Sequence, residues 1–196
     1  AAAAARVVAL FAAASASPRS PARLAPGCLL VARPDQFDHH VHRAVVVVTQ
    51  HGETAKSVTD ATGSDATTMS ETRGVAVNSE TPFTMGEMAA GMGCFADNPV
   101  FRGGDGGADT VTVLHCRPAL PGAVPVGAHG LAVGGLRAAQ EAVGRGEASA
   151  DDFKFLFKQW VWGAGELEQQ IQERVWWLLP PPPPRARAGA GAGAGA

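Results

Sequence analysis

Apolar positions along this chain fall into short blocks. Cys28-Leu29-Leu30-Val31-Ala32 is an unbroken apolar run stopped by Pro34, and Ala44 to Thr49 is a second, rich in valine. Both read as strands, and the second, which shows no alternation, as a strand buried on both faces. Gly74 to Asn78 reads as a further short strand, and Thr110 to His115 alternates until Arg117-Pro118 stops it. Met85, Met88 and Met92 recur at i, i+3 and i+7, the spacing of one helical face packed on a core. Leu136 to Val143 has helix-forming composition with Gly144 as terminator. Phe153 to Trp162 fits both periods. Phe153, Phe155 and Phe157 alternate as in a strand, whereas Phe153, Leu156, Phe157 and Trp160 fit a helix. Gly163-Ala164-Gly165 interrupts the pattern, and Glu166 to Val175 then reads as a helix with Leu167, Ile171 and Val175 on one face.

The polar stretches between these blocks divide the chain. Residues 52–73 are rich in Ser, Thr and Asp without an apolar period, which predicts a surface loop or insertion. Gly103-Gly104-Asp105-Gly106-Gly107 is not a GxxxxGK[ST] phosphate loop and reads as a tight turn between strands. Residues 1–26 place Arg6, Arg19 and Arg23 among Ala, Ser and Pro, and the first acidic residue is Asp35. That is the composition of an organelle transit peptide. Val7 to Ala14 followed by Ala14-Ser15-Ala16 offers a secretory signal as the alternative. Residues 180–184 are five prolines, followed by a Gly-Ala repeat, so 180–196 reads as a low-complexity tail. The expected folded domain is therefore 27–179.

Composition narrows the function classes. Charged residues are only 17% of the 196, net charge is −2, and no Lys/Arg cluster lies inside 27–179. A nucleic-acid binder normally carries a basic face, and the sequence shows no cluster that would build one. No apolar run approaches the about 20 residues of a membrane span. Cys28, Cys94 and Cys116 are odd in number, widely spaced and without a CxxC, which predicts small buried hydrophobes rather than disulfides or a zinc site.

His39, His40 and His42 precede the valine strand and are the metal candidates. A strand would put His40 and His42 on one face, and a helix His39 and His42. A catalytic zinc wants three protein ligands with further hydrogen-bonded support, so the segment reads as a loop. Asp38 and Arg43 flank it and could pair across the loop. An enzyme reading would draw on Cys94 or Cys116 as nucleophile, His51 or His115 as base and Asp38 as orienter. No GxSxG, HExxH or P-loop supports that reading.

Three stretches together resemble the YqgE/AlgH family, bacterial proteins with plastid relatives. In the first, Ala32, Pro34, Asp38, Arg43, Val45, Val46 and His51 follow the family's A-x-P-x-x-x-D-P-x-F-x-R-S-V-V pattern and the His behind it. The second is Gly74 to Asn78, then Gly103-Gly104 and the strand ending at His115. The third, Trp162-Gly163-Ala164-Gly165-Glu166-Leu167-Glu168, is similar to W-G-P-G-Q-L-E. Lys158-Gln159-Trp160-Val161 departs from the family's G-Y-x-G, and Pro180 to Pro184 stand where the family pattern continues. The resemblance implies an α+β fold: a curled mixed sheet forming a pseudo-barrel with a few flanking helices. It makes Phe153 to Trp162 a strand. It nominates Asp38, Arg43, His51, Asn78, Gly103, Gly104, His115, Trp162, Gly165 and Glu168 as ligand or structural-motif residues. It implies no cofactor and no catalytic residue. The expected function is a non-catalytic plastid-stroma adaptor for a protein partner or small ligand, or a transcription-regulatory protein; the alternative is a hydrolase-like or metal-dependent enzyme. Convergence of Asp38, Arg43, His51, Asn78 and His115 in one pocket would favour a ligand or catalytic site. Scatter along strand ends would make them structural.

Overall fold

The valine run is a strand buried on both faces, as its unbroken apolar pattern requires. In the computed structural model, which describes residues 23–36, 38, 41–54 and 69–181, it is β2 (Val45–Gln50), preceded by β1 (Leu29–Ala32). Val46 and Val48 belong to one core and Val47 to another, and all three are inaccessible to solvent.

The remaining strands are β3 (Glu53–Thr54), β4 (Met69–Ser70), β5 (Thr72–Ala76), β6 (Glu80–Thr84), β7 (Pro99–Arg102), β8 (Gly106–His115), β9 (Ala123–Val126), β10 (Leu131–Gly134), β11 (Phe153–Trp162) and β12 (Trp176–Leu179). The helices among the described residues are α1 (Met85–Met88), α2 (Leu136–Gly144) and α3 (Glu166–Gln172), with two short 3₁₀ turns. The main sheet runs β12-β1-β2-β5-β11-β8-β10-β9, with β7 beside β11 and β6 beside β7; β3 and β4 pair separately. Only β7 and β11 pair in parallel among these strands. The fold is α+β, a mixed and mainly antiparallel sheet curled into a half-barrel with flanking helices, as expected.

The curl turns on β11. One edge of this strand pairs with β8; the other is shared by β7 along Phe155–Phe157 and β5 along Trp160–Trp162. Between the two halves the register slips, and Lys158 adopts φ 61, a left-handed conformation that bends the strand. The side-chain alternation changes phase there. Phe153 and Phe155 enter a core with Phe95, Met85 and Ala139 of α2. Beyond the kink, Trp160 and Trp162 pack in a core with Trp176 and Leu167 of α3. Leu156 faces the third core, with Val47, Leu114 and Leu131.

The structure corrects several expectations. The methionine helix is one turn, Met85–Met88, capped by Thr84 and Glu87. Met88 is exposed, while Met85 and Met92 reach the same core from separate elements. The polar segment 52–73 is not wholly loop: its ends form the β3–β4 pair and the start of β5, where Thr72 is buried; residues 55–68 lie outside the described residues. Strands β6, β9, β10 and β12 add to those expected, and Trp176–Leu179 of β12 is itself an unbroken apolar run. Cys28 is buried as expected, but Cys94 and Cys116 are exposed, and none of the three is in a disulfide. Burial raises the Cys28 thiol pKa. No helix among the described residues is long and apolar enough to cross a membrane.

Candidate functional site

The nominated residues separate into several places. Arg43, Asn78 and Gly104 line one cleft of about 380 Å³, together with His42, Ser79, Arg102, Asp105 and Trp160. Its walls are the turn before β2, the residues after β5, the residues after β7 and Trp160, which follows the β11 kink. Backbone bonds hold these walls together: Ala76 N donates to Gly103 O at 2.7 Å, Arg102 N to Ser79 O at 2.7 Å and Gly103 N to Phe157 O at 2.7 Å.

The two glycines make this approach possible. A Cβ on Gly104 would fall on the Gln159 carbonyl, and one on Gly103 would meet the Lys158 carbonyl. The pair therefore serves contact with the bent strand, which a tight turn alone does not explain. Asn78 shapes the opposite wall. Its Nδ2 donates to Arg43 O at 2.8 Å, and its Oδ1 accepts from Val45 N at 2.9 Å. Arg43 sits at φ 60, an unfavourable conformation for a residue with a side chain, and Asn78 fastens the backbone just after it, at the Arg43 carbonyl and the Val45 N–H.

Asp38 starts the same turn. Its carbonyl accepts from Val41 N at 3.0 Å and from His42 N at 2.7 Å. The expected Asp38–Arg43 ion pair is not formed: Arg43 is exposed and has no acidic partner among the described residues. His42 turns its Nδ1 to Gln36 O at 3.0 Å. His39 and His40 lie outside the described residues. Among the described residues no group of three or more His, Cys, Asp or Glu is placed to hold a metal.

His51, Trp162, Gly165 and Glu168 gather at the far end of β11. His51 Nδ1 is 2.8 Å from Thr72 Oγ1, and its Nε2 is 3.8 Å from Glu168 Oε1. This Thr-His-Glu row resembles a nucleophile relay on paper. The second gap is too long for a hydrogen bond, and Thr72 is only 4% exposed, so the hydroxyl has no access to a substrate. Gly165 starts α3 at φ 75. Gln170 of α3 accepts from both Trp162 Nε1 at 3.1 Å and Trp176 Nε1 at 2.9 Å. Trp160 stacks on Trp162 at 5.6 Å between ring centroids and meets Trp176 edge-on. The group fastens α3 to the sheet.

His115 stands apart again. Its Nε2 donates to Gly134 O at 3.1 Å and its Nδ1 accepts from Arg117 N at 3.2 Å, so both ring nitrogens are engaged. Burial pushes its pKa below the usual imidazole value, against the pull of the Gly134 carbonyl. A buried, neutral, doubly bonded imidazole holds strand ends in place. The five-residue convergence is thus only partial: Arg43 and Asn78 meet, whereas His51 and His115 find partners elsewhere.

Sequence reasoning misses Ser79, Arg102 and Lys154. Arg102 pairs with Asp105 on the cleft wall. Lys154 is 6% exposed, with Nζ 3.1 Å from the centre of the Phe101 ring. Burial lowers its pKa to about 8, with the charge of Glu80 acting the other way. Its signal is present in the pattern: strand alternation puts Lys154 on the face of Leu156. Ser79 and Arg102 carry no such signal, because only the fold brings them beside Arg43.

This curled sheet, with its branch at a kinked strand, defines a recognisable class. The chain belongs to the AlgH-like family, whose pattern matches residues 29–185. Among curated relatives, UPF0301 protein CT0663 of Chlorobaculum tepidum is 29% identical over 156 residues, covering 79% of this chain and 74% of that protein. UPF0301 protein BF2109 of Bacteroides fragilis is 24% identical over 151 residues, covering 76% and 68%. The crystal structure of protein DIP2367 from Corynebacterium diphtheriae superposes with a TM-score of 0.63 at 19% identity, covering 87% of this chain and 81% of that one. The solution structure of the AlgH protein from Pseudomonas aeruginosa gives 0.56 at 18% identity, covering 84% and 80%. At these identities the two structures share the fold.

Proposed function

We propose that this protein is a non-catalytic binding protein, an adaptor of the plastid stroma whose recognition site is the Arg43–Trp160 cleft. One observation carries the reading. Arg43 presents a guanidinium with no acidic partner among the described residues at a concave surface, on a backbone held in a strained conformation by Asn78. Unpaired charge and maintained strain together are features of a recognition surface. Any effect on transcription would then act through the bound partner. The transit-like composition of residues 1–26 supports the plastid location.

The test is site-specific photo-cross-linking in the native cell. A photoreactive residue at Ser79 should capture a partner that the same residue at Arg137, exposed on α2, does not. Equal capture at both positions, or none at Ser79, overturns the reading. A fluorescent reporter carrying residues 1–26 should enter chloroplasts of a photosynthetic cell; secretion would overturn the location.

A further inference from the structure

The charge of the cleft restricts what it can hold. Arg102 is matched by Asp105, which leaves Arg43 as the one uncompensated cation among the described residues of the lining when histidine is counted as neutral. The lining's side-chain groups without a partner among the described residues can mostly donate; the exception is Nε2 of a neutral His42, whose Nδ1–H is given to Gln36 O. Of the lining residues, Ser79 makes no side-chain hydrogen bond within the described residues, and the indole N–H of Trp160 makes none either. Asn78 has spent one amide hydrogen on Arg43 O and keeps a second. A site with surplus donors and one net positive charge is complementary to an oxyanion of charge −1. A phosphate monoester, at nearly −2, would leave net negative charge against Asp105. The glycine pair offers no phosphate cradle either, because Gly103 and Gly104 are packed against the backbone of Lys158 and Gln159.

Size and wall chemistry extend the argument. About 380 Å³ is far more than one carboxylate needs, and the partly buried Trp160 gives part of the wall an aromatic surface. The lining is otherwise mainly polar, so a ligand that fills the cleft brings further polar groups, such as a peptide backbone, with its single charge and an apolar group for Trp160. Aspartate, glutamate or a free C-terminal carboxylate beside an apolar residue of a peptide supplies all of these.

We infer that the cleft is a carboxylate-recognition site for an acidic peptide segment of a partner protein, with Arg43 as the anchor and Ser79 and Trp160 as secondary contacts. The inference rests on the adaptor reading and narrows it. Arginine's planar fork takes a carboxylate through two parallel bonds, which lysine cannot reproduce.

The test selects a displayed library of random nonapeptides against the full-length protein and against Arg43→Gln. Wild-type selection should enrich Asp, Glu or a free C-terminal carboxylate beside an apolar residue, and Arg43→Gln should lose that enrichment. In a selected peptide, replacing the acid by its amide should weaken binding about 10- to 100-fold, the range of a charge-assisted hydrogen bond. Arg43→Lys should fall between wild type and Arg43→Gln. Should Arg43→Gln melt below wild type, Ser79→Phe, which fills the cleft while leaving Arg43 in place, must abolish binding on its own. Selection without acid enrichment, selection of nothing, or enrichment that survives Arg43→Gln overturns the inference. So does displacement of the peptide by inorganic phosphate at lower concentration than by acetate, which would make the site a phosphate site. The two readings fail separately. A partner captured at Ser79 with no acid preference removes the carboxylate and leaves the adaptor.

Discussion

Asn78 holds Arg43 in place through the backbone, donating to its carbonyl at 2.8 Å and accepting from Val45 N at 2.9 Å. The side chain that reads the ligand is therefore positioned by a residue 35 positions away that spends its own polar groups on the main chain. Asn78→Ala should cost about 1 kcal/mol of stability, since the bonds are solvent-exposed, and should weaken peptide binding as well. Asn78→Asp should be no better, because a carboxylate accepts from Val45 but repels the Arg43 carbonyl. Urea denaturation and peptide titration of both variants check this.

Arg43 itself should separate stability from binding. At φ 60 a glycine is unstrained, so Arg43→Gly should raise stability by about 1 kcal/mol while abolishing acidic-peptide binding. A variant that is both less stable and unable to bind would show that Arg43 is part of the scaffold.

Gly104 tests the sheet junction. Gly104→Ala should destabilise by at least about 3 kcal/mol, because its Cβ would collide with backbone atoms of Gln159 that cannot move without breaking β11 pairing. Gly144, at the end of α2 with open space around it and no positive φ, is the control. Gly144→Ala should stabilise by about 0.5 kcal/mol. Thermal melts of the two variants compare them directly.

Gln170 accepts from two indoles, and both belong to tryptophans at most 2% exposed. Gln170→Leu should cost about 2–4 kcal/mol, because two buried donors lose their acceptor together. Gln170→Glu keeps the acceptor and should stay within about 1 kcal/mol of wild type. Denaturation followed by tryptophan fluorescence reads both.

Lys154 gives a pH signature. Its pKa falls from the ordinary 10.5 to about 8 on folding, so between those values the unfolded chain binds more protons than the native one. Stability contributed by this residue therefore rises with pH from about 8 towards 10.5, and burial of the ammonium costs up to about 3 kcal/mol below 8. The face of Phe101 offsets part of that cost. Lys154→Met should be more stable than wild type at pH 7, and the difference should shrink as pH rises towards 10. A pH-independent difference in urea midpoints would mean that the amine is solvated.

What the sequence determined by itself was local and apolar. Val46 to Val48 reads as a doubly buried strand, because no polar position breaks the run and every residue in it is β-branched. Leu136–Gly144 was readable from its helix-forming composition, although the left-handed glycine that ends it is Gly146 and not the expected Gly144. Phe153–Trp162 was not, since its pattern changes phase at Lys158; only pairing with β8 on one side and β7 and β5 on the other makes it a strand with a kink. The same physics hid most of the site. Arg43 and Asn78 are nominated by the resemblance, but their relation is a hydrogen bond across 35 residues of sequence. Ser79, Arg102 and Trp160 join them only because Gly103 and Gly104 let β7 close on the bent strand. Periodicity records which face of an element is buried. It carries no information about which strand ends meet, and this cleft is made of strand ends.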